Sequence, residues 1–143
     1  MRVLPVIDLM RGEVVRGVGG RRDEYRAIQS ILAADARPAT VARALAAAGF
    51  REVYVADLDA IGGGDPDWMA YKAILDARLA PIVDAGLSTA LDARPLVEFV
   101  SQGHDLSAVV AGLESIEGPA ELARLVKCVG DKRLVFSLDM KAG

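Results

Sequence analysis

Hydrophobic residues in this chain are gathered into short runs, separated by longer stretches in which apolar positions recur with helical spacing. The runs are nearly continuous rather than alternating, which is typical of parallel strands covered on both faces. They predict strands at 3–7, 52–61, 81–87, 106–111 and 133–139. The stretches between them predict helices at about 40–49, 65–75, 91–102 and 119–129.

The predicted helix ends carry suitable capping residues. Thr40 is the expected N-cap of the first helix, and Asp65 that of the second, with Pro66 at a first position where its missing N–H costs nothing. Ahead of these helices, residues 13–18 form a second β-prone piece, and Arg11-Gly12 is the expected hairpin turn after the first strand. Residues 19–35 are irregular and rich in charge.

Strict alternation of strands and helices predicts βαβ units and a parallel sheet, either doubly wound or closed into a barrel. Acidic residues decide between the two, because they stand at or near the ends of four of the five predicted strands. They are Asp8, Asp57 with Asp59, Asp84 and Asp139. A barrel gathers polar residues from many strand ends around one mouth, whereas an open sheet concentrates its chemistry at one switch point. We therefore predict an α/β barrel.

Composition narrows the range of functions. A formal net charge of −3 argues against a general nucleic-acid binder, whose domain is basic. Cys128 is the single cysteine and His104 the single histidine, so neither a zinc-type metal site nor a Ser-His-Asp arrangement is expected, and no cofactor is predicted. No apolar run reaches the ~18 residues of a membrane span. The opening MRVLPVIDL lacks the features of a signal peptide, which favours a reducing cytoplasm.

Three segments resemble the sugar-phosphate isomerases of histidine biosynthesis and their sister cyclases. They are RVLPVIDLMRGEVVRGVGG, EVYVADLDAI and LVFSLDMKAG, in the order and spacing of that family. The resemblance implies a (β/α)₈ TIM barrel that catalyses an Amadori rearrangement of a phosphorylated aminoaldose to an aminoketose. It also implies Asp8 as the base and Asp139 as the acid, on strands that face each other across the mouth. From chemistry alone, the two roles are interchangeable.

The resemblance further implies a small phosphorylated or anionic ligand. The residues expected to bind it are Gly20, Arg21, Asp57, Gly86, Ser88, Gly112 and Lys141. Three loops depart from the family. Residues 20–26 replace a Gly-Asp-Tyr-type segment. The stretch 84–89 reads Asp-Ala-Gly-Leu-Ser-Thr where the family has a Gly-Gly-Gly-Ile-Arg-like turn, and Leu113 follows Gly112 where the family has Thr or Ser. Fewer glycines weaken a phosphate site, because glycine lets the backbone approach a phosphate closely. The glycines at 62–64 are either a phosphate cradle or a flexible turn.

Length is the largest departure, since a barrel of this kind needs about 250 residues. The chain, taken as one domain over 1–143, supplies strands 1 to 5 and four helices, a partial barrel that stops after strand 5. We expect either a missing C-terminal half or self-association to close it. Three functions stay open: an isomerase of the histidine-biosynthesis type, a non-catalytic or differently specific relative linked to one-carbon cofactor metabolism, and an inactive half-barrel. Neither a nucleic acid nor a membrane is an expected partner.

Overall fold

The computed structural model describes residues 1–18 and 20–138. Its strands are β1 (Val6–Met10), β2 (Glu13–Arg16), β3 (Arg26–Ala27), β4 (Glu52–Asp57), β5 (Ala80–Asp84), β6 (Val100–Ser101), β7 (His104–Asp105), β8 (Ala108–Gly112) and β9 (Leu134–Ser137). Its α-helices are α1 (Pro38–Ala47), α2 (Leu58–Ile61), α3 (Trp68–Asp76), α4 (Ala90–Glu98) and α5 (Pro119–Val129). Within the described residues, no helix has both the length and the apolar character that a bilayer span requires.

The main sheet has seven strands in the order β3-β2-β1-β4-β5-β8-β9. Its parallel strands β1, β4, β5, β8 and β9 are neighbours in the order in which they occur along the chain. Right-handed crossovers in one unbroken direction place every helix on the same face, whereas a doubly wound sheet reverses its order. The sequential order therefore confirms the partial TIM barrel.

The two faces of the sheet differ in burial. The helix-facing side carries Val53, Val55 and Val83, which are fully buried against Ile74 and other apolar residues of the helices. The opposite face corresponds to the interior of a barrel and stays partly open; Val6, for example, is 61% exposed. Burial on the helix side thus holds the sheet together, whereas the opposite face is only partly covered.

The first hairpin is confirmed. Asp8 pairs with Val15 in an antiparallel register, and the turn is made by Arg11 and Gly12 with φ of 54° and 76°. Positive φ at both central residues is the backbone that matches the twist of two paired strands. The hairpin brings the start of the first long loop back beside β1.

The third predicted helix is shorter than expected. The helix α4 ends at Glu98, and the residues predicted as its last turn form the β6–β7 hairpin instead. Phe99 takes an extended backbone, and its ring centroid lies 5.2 Å from that of Trp68. Gln102 and Gly103 make the turn with φ of 52° and 76°. Packing of the aromatic ring therefore overrides the helical spacing.

The first strand lies at Val6–Met10 and not at 3–7, and three boundaries at the starts of helices are also wrong. The helix α3 is capped by Asp67, whose side chain accepts from the amide of Ala70 at 2.9 Å, and not by Asp65. The helix α1 begins at Pro38, so Thr40 lies inside its first turn. The second predicted strand ends at Asp57, where the short helix α2 begins. In each case a nearby residue supplies the cap or the proline that starts the helix.

Candidate active site at the mouth of the partial barrel

Asp8 and Asp84 stand on the open face of the sheet, in one row. Asp8 is in register with Ala56, and Ala56 with Asp84. Two strand spacings of about 4.8 Å place the backbones of the two aspartates roughly 10 Å apart. The small side chain of Ala56 forms the floor between them. The row therefore outlines a shallow site with a carboxylate on either side.

The carboxyl group of Asp8 is partly buried, and that burial raises its pKa above the ordinary value. Within the described residues, no hydrogen-bond donor reaches its oxygens. A Cβ at Gly17 would lie 3.5 Å from Asp8 Oδ2 and 3.3 Å from the Tyr25 hydroxyl. The start of the first loop thus packs against Asp8, and Gly17 leaves the room for it. Tyr25 is a neighbour that the sequence analysis missed.

Asp84 is held by two donors. The Tyr54 hydroxyl donates to its Oδ2 at 3.0 Å, and the amide of Gly86 donates to its Oδ1 at 3.1 Å. The sequence marked Asp84 as an acidic strand end but not as a ligand-binding residue, and it gave no sign of Tyr54. Tyr54 lies two positions before Ala56 on β4, so the period of two along a strand places it on the same face.

Asp57 requires a correction, because it faces the helices and not the mouth. It is 0% exposed. Its Oδ1 accepts from the amide of Ala60 at 3.1 Å, and its Oδ2 accepts from the amide of Asp67 at 2.8 Å and the Tyr71 hydroxyl at 2.5 Å. Burial, followed by the neighbouring Asp57, raises the pKa of the Tyr71 hydroxyl well above its usual range. These hydrogen bonds connect the end of β4 to α2 and α3.

The first loop lies beside the end of β4. Arg22 reaches across and donates from Nη1 to the carbonyl oxygen of Leu58 at 3.3 Å. Arg21, an expected ligand residue, is exposed and pairs with Glu24 at 3.0 Å. Gly20 has a φ of 77°, which explains a glycine at the turn without any ligand. The loop brings positive charge towards the mouth, partly balanced by its own acidic residues.

The glycine of the loop after β5 is explained by packing. Gly86 has a φ of 69°, and a Cβ there would lie 2.8 Å from the Cα of Ile61 at the end of α2. Its amide is engaged by Asp84. Gly86 and Ser88 both line an open cleft of about 520 Å³ between this loop and the loop after β4. The structure therefore brings these two expected ligand residues together, in a cleft that is also lined by Trp68 of α3 and Leu91 of α4 and not by Asp8 or Asp84.

Several amides at the start of α4 are engaged by side chains of the chain itself. The Asp92 Oδ2 accepts from the amides of Ser88 at 3.3 Å and Thr89 at 2.9 Å. Glu121 of α5 accepts from the amide of Ala90 at 2.8 Å. This contact, followed by the ion pair with Arg124, lowers the pKa of Glu121. The helix end is capped internally.

The glycines after β4 and after β8 also have close contacts within the chain. After β4, the amides of residues 62, 63 and 64 donate to backbone carbonyl oxygens at 3.0, 2.9 and 2.9 Å. After β8, the carboxylate of Glu114 lies over Gly112, and a Cβ at Gly112 would lie 2.5 Å from its Oε1.

Two further expected residues, Asp139 and Lys141, lie outside the described residues. Within residues 1–18 and 20–138, no group of three or more His, Cys, Asp or Glu side chains is placed to hold a metal ion.

Comparison with known proteins now bears on this geometry. The sequence matches the histidine biosynthesis protein family over residues 2–143. The chain belongs to this family. Among its relatives in the histidine biosynthesis protein family is an uncharacterized protein of Methanocaldococcus jannaschii, 31% identical over all of this chain and 58% of the relative.

Other relatives in the histidine biosynthesis protein family are named 1-(5-phosphoribosyl)-5-((5-phosphoribosylamino)methylideneamino) imidazole-4-carboxamide isomerase. The protein of Alkaliphilus metalliredigens is 31% identical over all of this chain and 56% of its own length. That of Opitutus terrae is 33% identical over all of this chain and 54% of its own length. The chain thus spans little more than half the length of the curated relatives it matches.

Proposed function

We propose that this chain is part of a sugar-phosphate aldose–ketose isomerase of the histidine-biosynthesis type, with Asp8 as the base and Asp139 as the acid. Membership of the histidine biosynthesis family supports the reaction class, and several relatives bear an isomerase name. The ligand is a small phosphorylated or anionic molecule, no cofactor is required, and the expected location is the cytoplasm.

The proposed reaction needs proton transfers at the ring oxygen and at C2, the two atoms that flank C1 in the ring. Asp139 donates its proton to the furanose ring oxygen as the C1–O bond breaks, which opens the ring and leaves an iminium at C1. Asp8 then removes the proton from C2, and the electrons of that C–H bond form the C1–C2 double bond of an enaminol. In the final tautomerisation the C2 hydroxyl loses its proton and C1 gains one, which places the carbonyl at C2 and gives the aminoketose. No net oxidation or reduction occurs.

The observation that carries the proposal is the environment of Asp8. Its carboxylate lies on the open face, partly buried, with a raised pKa and without a donor from the described residues. A base with its oxygens unengaged is available to accept a proton, and a pKa raised towards the working pH improves proton transfer. Asp57 and Asp84 each have hydrogen-bond donors on both carboxylate oxygens, so they are less suited to the role.

The test is an isomerase assay of the full-length protein with the substrate that gives the relatives their name. Asp8→Asn is expected to lower kcat by about 10³-fold with a small change in KM, because general base catalysis contributes roughly 10²–10⁴-fold. Asp23→Asn, which removes an exposed carboxylate from the first loop, is the control and should retain activity. An active protein whose Asp8→Asn variant keeps full kcat would refute the role of Asp8.

The other two functions predict different results. A non-catalytic or differently specific relative, linked to one-carbon cofactor metabolism, would be folded and would leave that substrate unchanged. It would join the uncharacterized Methanocaldococcus jannaschii protein as a family member without an assigned reaction. An inactive half-barrel would associate through the edge of β9, which pairs with β8 alone among the described strands. Light scattering separates that case, because a monodisperse monomer would contradict it.

A further inference from the structure

The space above Gly17 lies between two polar groups, the carboxylate of Asp8 and the hydroxyl of Tyr25. A Cβ built at Gly17 would lie 3.5 Å from Asp8 Oδ2 and 3.3 Å from the Tyr25 hydroxyl oxygen. The two oxygens therefore border one small space, which stays open because Gly17 has no side chain.

Strand register explains why the two groups meet there. Val15 pairs with Asp8 on β1 and with Ala27 on β3, so these three side chains share the open face of the sheet. Continued by two residues, the pairing of β2 with β3 sets Gly17 opposite Tyr25 on that same face. The hydroxyl end of the tyrosine ring therefore lies over Gly17, beside the carboxylate of Asp8.

The backbone of Tyr25 is held on both sides. Its amide donates to the carbonyl oxygen of Arg22 at 3.2 Å, and its own carbonyl oxygen accepts from Arg26 Nη1 at 2.9 Å. Arg22 in turn donates to the carbonyl oxygen of Leu58, at the start of α2. The tyrosine is thus positioned before a ligand binds, which reduces the entropy that binding costs.

Both groups keep their hydrogen-bonding capacity for a ligand. Across residues 1–18 and 20–138, neither the Asp8 carboxylate nor the Tyr25 hydroxyl has a hydrogen-bond partner. A phenol hydroxyl both donates and accepts, whereas an ionised carboxylate only accepts. The pair therefore suits a carbon atom that bears both a hydrogen and a hydroxyl group, with the carboxylate at the hydrogen and the phenol at the hydroxyl.

We infer that Tyr25 is a substrate-binding residue, whose hydroxyl hydrogen-bonds the C2 hydroxyl of the substrate while Asp8 faces the proton on the same carbon. The inference rests on the proposed isomerase function and names the residue that orients C2. In that reaction, C2 carries both the proton that the base removes and the hydroxyl that becomes the carbonyl. Contacts to both groups fix the orientation of C2 and direct its C–H bond at the base.

The direct test compares two sugar phosphates that differ only in the C2 hydroxyl, D-ribose 5-phosphate and 2-deoxy-D-ribose 5-phosphate. Isothermal titration calorimetry of the full-length protein measures both affinities. The unmodified protein is expected to bind ribose 5-phosphate about fivefold more tightly, and Tyr25→Phe is expected to lose that preference. An unmodified protein without the preference, or without affinity for either sugar, would overturn the inference, as would a Tyr25→Phe variant that keeps the preference.

A second variant, Gly17→Ala, tests the space itself. The φ of Gly17 lies outside the left-handed region, so its backbone accepts alanine, and the added methyl group would take the place of the C2 hydroxyl. The preference for ribose 5-phosphate is expected to be lost in this variant too, whereas Asp23→Asn, an exposed change in the same loop, should keep it. A folded Gly17→Ala variant that keeps the preference would overturn the inference; if the variant does not fold, Tyr25→Phe decides alone.

Kinetics separates this inference from the proposed function. With the substrate that gives the relatives their name, Tyr25→Phe is expected to lower kcat/KM about fivefold. Full kcat/KM in this variant would overturn the inference and uphold the isomerase. An unmodified protein that does not turn over the substrate would refute the isomerase, while the comparison of the two sugars still decides whether Tyr25 binds the C2 hydroxyl.

Discussion

Asp8 and Asp57 stand on neighbouring parallel strands, yet they face opposite sides of the sheet. Asp57 is in register with Leu9, the residue after Asp8, and side chains alternate between faces along a strand. The buried carboxylate of Asp57 has three donors, which compensate for the loss of water. The partly buried carboxylate of Asp8 has no donor from the described residues, and its burial therefore raises its pKa.

Asp8→Asn is expected to stabilise the protein at neutral pH. The folded state binds the Asp8 proton more tightly than the unfolded state does, since burial raises the folded pKa. The stability contributed by Asp8 is therefore fully present below the unfolded pKa of about 3.9 and is lost as pH rises through the higher, folded pKa. Asparagine carries no charge and avoids that loss.

Urea unfolding between about pH 4 and pH 7 measures this effect. The free energy of unfolding of Asp8→Asn, relative to the unmodified protein, should increase with pH across this interval. Asp23→Asn on the first loop serves as the comparison and should show a much smaller trend. A difference for Asp8→Asn that is constant with pH would show that the gain comes from some other contact.

At the scale of elements, the loops are shaped by the packing of their neighbours. Gly86 is required where the loop after β5 passes the end of α2, and Gly17 where the first loop passes β1. In α4, Phe99 leaves the helical path to pack against Trp68, and a hairpin replaces the last predicted turn. Contacts between elements that are distant in sequence decide these local structures.

Gly86→Ala and Gly103→Ala form a matched pair, because both glycines have a positive φ, of 69° and 76°. A Cβ at Gly103 has nothing within 4 Å, whereas one at Gly86 would lie 2.8 Å from the Cα of Ile61. Gly103→Ala is expected to cost about 1 kcal/mol for the backbone alone. Gly86→Ala is expected to cost about 3 kcal/mol, because α2 or the loop must also shift.

Chemical denaturation of both variants measures the two free energies of unfolding. Equal losses for the pair would contradict the close approach between Gly86 and the end of α2. A larger loss for Gly103→Ala would reverse the assignment of the steric contact.

At the scale of the whole molecule, the barrel-interior face of the sheet is partly open. The central strands β4 and β5 have a parallel neighbour on either side, whereas β9 pairs with β8 alone among the described strands. Unpaired strand edges open more readily than central strands, since fewer hydrogen bonds and buried contacts hold them.

Amide hydrogen exchange of the 143-residue chain is expected to be fastest in β9 and slowest in β4 and β5 among the parallel strands. The measurement is mass spectrometry or NMR at low protein concentration. Protection of β9 that rises with concentration would indicate a second copy on that edge. Protection of β9 equal to that of β4 at every concentration would contradict an open edge.

The sequence by itself determined the succession of elements, the family and the likeness to a barrel. Continuous apolar runs and helical spacing reflect the burial of a single strand or helix, so they can be recognised in the sequence without knowing which element packs against it. The Arg11-Gly12 turn is equally local, and the structure retains it. Asp8 was also singled out as a candidate site residue, from its place at the end of a strand and from the resemblance.

Tertiary structure alone decided which acidic residues face the mouth and which amides are free. Asp57 is buried because the strand register directs its side chain towards Tyr71. Gly86 is needed because the end of α2 lies against it and leaves no room for a Cβ. Glu121 reaches the start of α4 from α5, across a separation of 31 residues. Such contacts arise only when distant segments meet, which is why no pattern along the chain announces them.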